Sequence, residues 1–178
     1  MMSIFDNMDS PFYKSALTFA VDEIDPVPFT KFIAARFGKG DRRIENRVIS
    51  RIIDFADGVS GDVQELCEAL WETTDPGAEI STDDFSAALE LIFSRERGGY
   101  EAIVERLTPV QAKLLSALAE NGGTQVYSAA FATRAGMPTS TIRRVIVRLV
   151  EDRLIFRRKG GYRFSNPFFR EWLRLGFA

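Results

Sequence analysis

Seven arginines and one lysine crowd into residues 143–163, just after a run of hydroxyls at Thr139, Ser140 and Thr141. Guanidinium forks bind phosphate oxygens and the O6/N7 edge of guanine in pairs, and hydroxyls bind phosphate. The chemistry open to this stretch is therefore nucleic-acid recognition. Two other groupings could do chemistry. Asp83-Asp84 and Asp22-Glu23-Asp25 could hold a metal or exchange protons. Simpler roles suit them better, since Asp83 and Asp84 follow a Ser-Thr cap in a first helical turn, and Asp25 precedes a proline. Cys67 shares an apolar stripe with Leu66 and Leu70, which suits a buried small hydrophobe better than a nucleophile. The chain has no histidine, and that removes Ser-His-Asp and Cys-His catalysis and every histidine metal site. One cysteine cannot form a zinc cluster or an internal disulfide. No GxxxxGK[ST] phosphate loop occurs. The expectation is binding, with no catalysis, no metal and no cofactor in this chain.

The net charge of −2 hides a division. Residues 1–107 carry 11 Lys+Arg against 21 Asp+Glu, and residues 108–178 carry 12 against 4. A chain of 178 residues divided this way reads as two functional parts, the basic one suited to DNA. Hydrophobic residues at 46% and charged residues at 27% argue for a packed core. There is no run of about 18 apolar residues to span a bilayer. The start, Met1 to Asp6, lacks the basic and apolar regions of a secretion signal. A cytoplasmic protein with no membrane partner is expected.

The elements follow from spacing. Residues 1–27 read as irregular: a helix start in Met1–Met8, a turn at Ser10-Pro11-Phe12-Tyr13, a short strand at Leu17–Ile24 and a stop at Asp25-Pro26-Val27-Pro28. Helices are predicted over 28–37, with Phe29, Phe32, Ile33 and Phe37 on one face, and over 45–57, with Val48, Ile49, Ile52 and Ala56. Another over 62–73 carries Val63, Leu66, Cys67, Leu70 and Trp71 at amphipathic spacing. Ser81 caps the next, which holds Phe85, Ala88, Leu89, Ile92 and Phe93 until Gly98-Gly99 kinks or breaks it. Tyr100, Ile103, Val104 and Leu107 resume the stripe.

Thr108-Pro109-Val110-Gln111 reads as a capping box opening a helix with Val110, Leu114, Leu115 and Leu118 inward, as far as Asn121-Gly122-Gly123. A second helix is expected over 126–135 and a third from Pro138 to about Asp152. Leu154–Arg158 and Tyr162–Ser165 form a hairpin around Lys159-Gly160-Gly161, and a last helix spans 168–175. Trp71 and Trp172 are expected as core anchors. The apolar closing segment, Phe168, Phe169, Trp172, Leu173 and Phe177, should fold back on its own unit or form a dimer or interdomain surface.

Three helices, a Gly-Gly hairpin and a closing helix describe a winged helix-turn-helix. Ala135-Gly136-Met137-Pro138-Thr139-Ser140-Thr141-Ile142-Arg143-Arg144 resembles the turn and recognition helix of bacterial and archaeal winged-helix domains. Val150 to Ile155 resembles the usual passage into the wing. Ile142, Val145, Ile146 and Leu149 share the core face. Ser140, Thr141, Arg144, Val147 and Arg148 share the opposite face, with Arg143 on its flank, and in a helix-turn-helix that face enters the major groove. The wing adds Arg157, Arg158, Lys159 and Arg163 for the neighbouring backbone or minor groove. Val147 reads little on DNA and suits a protein contact, so protein docking stays open beside DNA binding.

The N-terminal part is too acidic to bind DNA. Its Ser10-Pro11-Phe12-Tyr13, followed by Leu17–Ile24 and then Ile24-Asp25-Pro26-Val27 with Phe29, resembles the segment after the last core strand of AAA+/STAND-type ATPases of the archaeal kind. Gly61-Asp62-Val63-Gln64-Glu65-Leu66 resembles the start of their lid helix, and in that superfamily the lid runs into a C-terminal winged helix. The resemblance implies a C-terminal ATPase region without its nucleotide-binding core. Met1 or Met2 would be an internal methionine, and Walker residues with their ATP and Mg would lie upstream. Many such lids carry a phosphate-sensing arginine where this chain has neutral Gln64, and Arg42, Arg43 or Arg47 could substitute.

The resulting expectation is a mainly α chain: an irregular segment over 1–27, a small helical lid-like domain over 28–107 and a winged helix over 108–178. Its winged helix would bind DNA through Thr139, Ser140, Thr141, Arg143, Arg144, Arg148, Arg157, Arg158, Lys159 and Arg163. Two alternatives stay open. One is a free-standing winged-helix regulator that homodimerises through its acidic half. The other is a winged-helix module for a protein partner. In any of them the acidic part could dock on the basic one and mask its DNA face.

Overall fold

The computed structural model describes residues 25–176. The expected Met1–Met8 helix, Ser10–Tyr13 turn and Leu17–Ile24 strand lie outside the described residues, as do Asp22, Glu23 and Phe177.

Helix α1 spans Pro26–Lys39. It opens two residues earlier than the prolines suggested, because the Asp25 carboxylate accepts the Val27 N–H at 2.9 Å and proline suits a first helical turn. Ile33 and Phe37 are buried, whereas Phe32 is 59% exposed and stands off the shared face expected for it. Strand β1 (Arg43–Ile44) leads into α2 (Asn46–Phe55), which buries Val48, Ile49 and Ile52, with Ala56 buried just after it. Helix α3 spans Ser60–Thr73 and buries Val63, Leu66, Ala69 and Leu70.

Strand β2 (Glu79–Ile80) pairs parallel with β1, Arg43 opposite Glu79 and Ile44 opposite Ile80. No periodicity could announce two-residue strands. Their pairing is held by buried Ile80 and by Arg42, only 8% exposed. The Arg42 guanidinium donates to the Gly40 carbonyl at 3.0 Å, the Trp71 carbonyl at 3.2 Å and the Thr74 carbonyl at 2.8 Å. It thereby satisfies carbonyls at the end of α3 that the helix itself leaves unpaired.

Helix α4 spans Thr82–Glu105 without interruption, so Gly98-Gly99 does not break it. Two helical glycines cost about 2 kcal/mol against alanine, which tertiary packing around Tyr100 offsets. Its start is a capping box, with Asp84 accepting the Ser81 N–H at 2.7 Å. Trp71 is half-exposed, not the core anchor expected. Its ring lies between Phe37, at 5.7 Å, and the Arg42 guanidinium, at 4.1 Å.

Helix α5 (Pro109–Asn121) opens with the expected Thr108–Gln111 capping box. It buries Leu114, Leu115 and Leu118, while Val110, expected inward, is 42% exposed. Helix α6 is shorter than expected, Ala129–Ala135, because Ser128 caps it by accepting the Phe131 N–H at 3.1 Å. Gly136, at φ 58°, takes the left-handed conformation that turns the chain into α7 (Thr139–Glu151).

Strands β3 (Ile155–Arg158) and β4 (Gly161–Phe164) form an antiparallel wing, Ile155 opposite Phe164. Thr124 bridges to Gly161, and the Tyr162 N–H donates to the Gly123 carbonyl at 2.9 Å. The backbones approach so closely that a Cβ on Gly123 would lie 1.7 Å from the Tyr162 carbonyl oxygen. Glycine is required there by space.

Helix α8 (Pro167–Arg174) closes the fold and settles where the apolar C-terminal segment goes. It packs on α5 and also on α4. The Phe168 ring meets Phe55 of α2 at 5.3 Å. Phe169 and Trp172 meet Tyr100 of α4 at 5.3 Å and 5.6 Å. The described buried residues, from Ile33 to Leu173, form one continuous core.

Candidate nucleic acid interface

Helix α7 divides cleanly. Ile142, Val145, Ile146 and Leu149 are buried, as the spacing predicts. Ser140, Arg143, Arg144, Val147 and Arg148 are exposed, and Thr139 and Thr141 are half-buried. Alternating 3- and 4-residue spacing of the aliphatic residues dictates this, since they must face α5 and α6 to bury their area. Arg148 donates to Glu151 at 2.9 Å, an exposed pair worth a few tenths of a kcal/mol and readily exchanged for a phosphate.

An aromatic pair links this helix to the wing. The Arg143 guanidinium lies 4.4 Å from the centre of the Tyr127 ring. Tyr127 meets Tyr162 of β4 edge to face, and their hydroxyls share a hydrogen bond of 2.8 Å. Burial, with this hydrogen bond, pushes the Tyr127 hydroxyl up to about 12. The phenol therefore stays neutral at ordinary pH and adds no negative charge beside the arginines. The sequence reading missed Tyr127 as a positioning residue because it fell inside a stretch read as α-helix. Lys113 of α5 is a second residue missed. It donates to the Gly136 carbonyl at 3.1 Å and puts a cation at the turn before α7.

The ten expected residues do not all gather on one surface. Thr139, Ser140, Thr141, Arg143, Arg144 and Arg148 share α7. Arg157 and Lys159 are exposed on the wing, and Arg157 lies close enough to Tyr127 to act on its hydroxyl. Arg158 and Arg163 turn the other way. Both form ion pairs with Asp57, in the turn between α2 and α3; the Arg158 pair measures 2.8 Å. Asp57 is 101 residues from Arg158, so no local signal announces the contact.

The remaining chemical candidates resolve simply. Asp25 and Asp84 act as caps, and among the described residues no group of three or more His, Cys, Asp or Glu could hold a metal ion. Cys67 is half-buried, and burial pushes its thiol up to about 12, which disfavours the thiolate. Gln64 is exposed beside Phe29, Phe32 and Cys67. Of the arginines that could replace a phosphate-sensing arginine at position 64, Arg42 donates to backbone carbonyls, Arg47 pairs with Glu45 at the surface, and Arg43 is exposed. No described helix is long and apolar enough to cross a membrane.

Comparison with known proteins agrees with this architecture. Residues 98–175 match the family described as "Probable winged helix domain". The match begins inside α4, which spans Thr82–Glu105. The fold is similar to the Walker-type ATPase PABY2304 of Pyrococcus abyssi, with a TM-score of 0.62 and 17% sequence identity. The similarity covers 96% of this chain and 48% of that one, so the chain spans about half the length of its structural neighbour. No curated protein matches it in sequence. The chain is thus mainly helical and carries a winged helix whose two-stranded wing is the β3–β4 hairpin.

Proposed function

We propose that this chain is the lid and winged-helix part of a Walker-type ATPase, and that its winged helix binds DNA. The likeness of nearly the whole chain to half of PABY2304 supports the first part. One observation carries the second: α7 buries Ile142, Val145, Ile146 and Leu149 and leaves Ser140, Arg143, Arg144 and Arg148 in solvent, and the wing exposes Arg157 and Lys159. A major groove is wide enough for one helix, and such a face supplies both phosphate and base-edge donors. The proposed DNA contacts are Thr139, Ser140, Thr141, Arg143, Arg144, Arg148, Arg157 and Lys159, with Arg158 and Arg163 held back at Asp57. The division of labour is a lid-like unit over 28–107 and a DNA-binding unit from Thr108. Hydrolysis, ATP and Mg belong in this reading to a core outside this chain, and Gln64 offers nucleotide phosphates no charge.

Fluorescence anisotropy of a labelled duplex at two salt concentrations tests the DNA reading. Salt-sensitive binding in the micromolar range is expected. Replacing Arg143 and Arg144 by alanine should flatten the slope of log K against log salt by roughly 0.9 per lost phosphate contact. Binding with an unchanged slope would refute the placement on α7. A second reading has its own observation. Val147 and Val150 are 55% and 37% exposed on α7, which suits a protein partner. No duplex binding at low salt would favour it.

A further inference from the structure

The three arginines of α7 are held in different ways. Arg148 is paired with Glu151, so its fork must change partners before it meets a ligand. Arg144 is exposed, with no ion pair among the described residues, and must lose side-chain freedom to make any directed contact. Arg143 differs from both. Its guanidinium lies over the Tyr127 ring, and among the described residues no carboxylate pairs with it. A ring face steadies a guanidinium without occupying its N–H donors. Arg143 is therefore held in place with its donors still available.

The ring that holds it is itself braced. The Tyr127 hydroxyl shares a hydrogen bond of 2.8 Å with the Tyr162 hydroxyl, and the two rings meet edge to face at 6.2 Å. The loop carrying Tyr127 is tied at both ends. The Tyr162 N–H donates to the Gly123 carbonyl at 2.9 Å, and the Ser128 N–H donates to the Gln125 carbonyl at 2.9 Å. Val126, the residue before Tyr127, is buried. Strand β4 thus fixes Tyr127, and Tyr127 fixes Arg143.

Such ordering matters most for a contact that needs one geometry. A phosphate accepts donors over a wide range of approach, so a mobile arginine serves it. The O6/N7 edge of guanine accepts a fork in one arrangement. A fork already in position loses little freedom on making that contact.

We propose that Arg143 reads a guanine in the major groove, and that Tyr127, braced by Tyr162, is the positioning residue that sets its aim. The proposal rests on the DNA reading above and assigns base selectivity within it, leaving Arg144 and Arg148 to the phosphates.

The test equilibrates the full chain, Arg143→Gln, Tyr127→Leu and Tyr127→Phe with a randomised duplex at low salt and sequences what is bound. The unaltered chain should enrich guanine at one position. Arg143→Gln should lose that guanine and keep the other preferences, because a glutamine amide fits adenine instead. Tyr127→Leu should weaken the same enrichment about two- to fivefold, the weight of a partly exposed cation–π contact. Tyr127→Phe keeps the ring and should keep most of the enrichment. The enrichment is a ratio among bound duplexes, so a loss of stability lowers the yield and leaves the ratio; a thermal melt of each variant checks folding. Binding without an enriched guanine, or a guanine that survives in Arg143→Gln, overturns the assignment while the DNA reading stands. A guanine lost in Arg143→Gln but undiminished in Tyr127→Leu overturns the role of Tyr127. No duplex bound at low salt overturns the DNA reading and this assignment with it.

Discussion

Truncating Phe168 to alanine probes the seam between the winged helix and the helices before it. The ring is 1% exposed and packs, tilted, at 5.3 Å against Phe55 of α2. Removing a fully buried phenyl ring costs about 3–5 kcal/mol, from lost transfer energy and from the cavity left behind. At roughly 2–4 °C per kcal/mol for a chain of this size, the midpoint of thermal unfolding should fall by about 6–20 °C. The two tryptophans make the assay specific, since Trp71 lies on α3 and Trp172 on α8. In a Trp172→Phe background, Trp71 reports only the N-terminal helices. Because the buried residues form one core, the Trp71 transition in urea should shift together with the far-ultraviolet circular dichroism. A Trp71 transition that stays put while the helical signal shifts would show two independently folding units. A loss below about 1 kcal/mol would show that the seam carries little stability.

Gly123→Ala should cost about 2–3 kcal/mol, because the new Cβ meets a backbone carbonyl that cannot swing aside; urea unfolding measures it. Cys67 should resist thiol reagents at pH 8 in the folded chain, with about one thiolate in ten thousand, and react at once in denaturant; equal rates in both states would contradict its burial. Tyr127 should ionise late in a titration followed by tyrosinate absorbance. Its folded value lies above that of the unfolded chain, so the associated stability is full below about pH 10 and is lost as pH rises toward 12. Tyr127→Phe should remove that loss.

The sequence by itself determined the winged helix. The Thr108–Gln111 capping box, the glycine at 136 and the aliphatic spacing on α7 are local devices acting over a few residues, and each stands where its pattern placed it; the wing turn is tighter than expected, Lys159-Gly160, with Gly161 already in β4 opposite Arg158. The same holds for which face of α7 meets solvent, because burial of aliphatic area dictates it. Local rules misled where distant packing outweighed them. Gly98 and Gly99 did not break α4, since Tyr100 is locked against Phe169 and Trp172 from the far end of the chain. Trp71 left the core because Arg42 and Phe37 offered its ring a surface site. The split of the basic residues was decided only by tertiary structure. Arg143 and Arg144 kept to the open face of α7, whereas Arg158 and Arg163 were drawn to Asp57. A strand side chain chooses its face by what lies across from it, and what lies across here is about a hundred residues away in sequence.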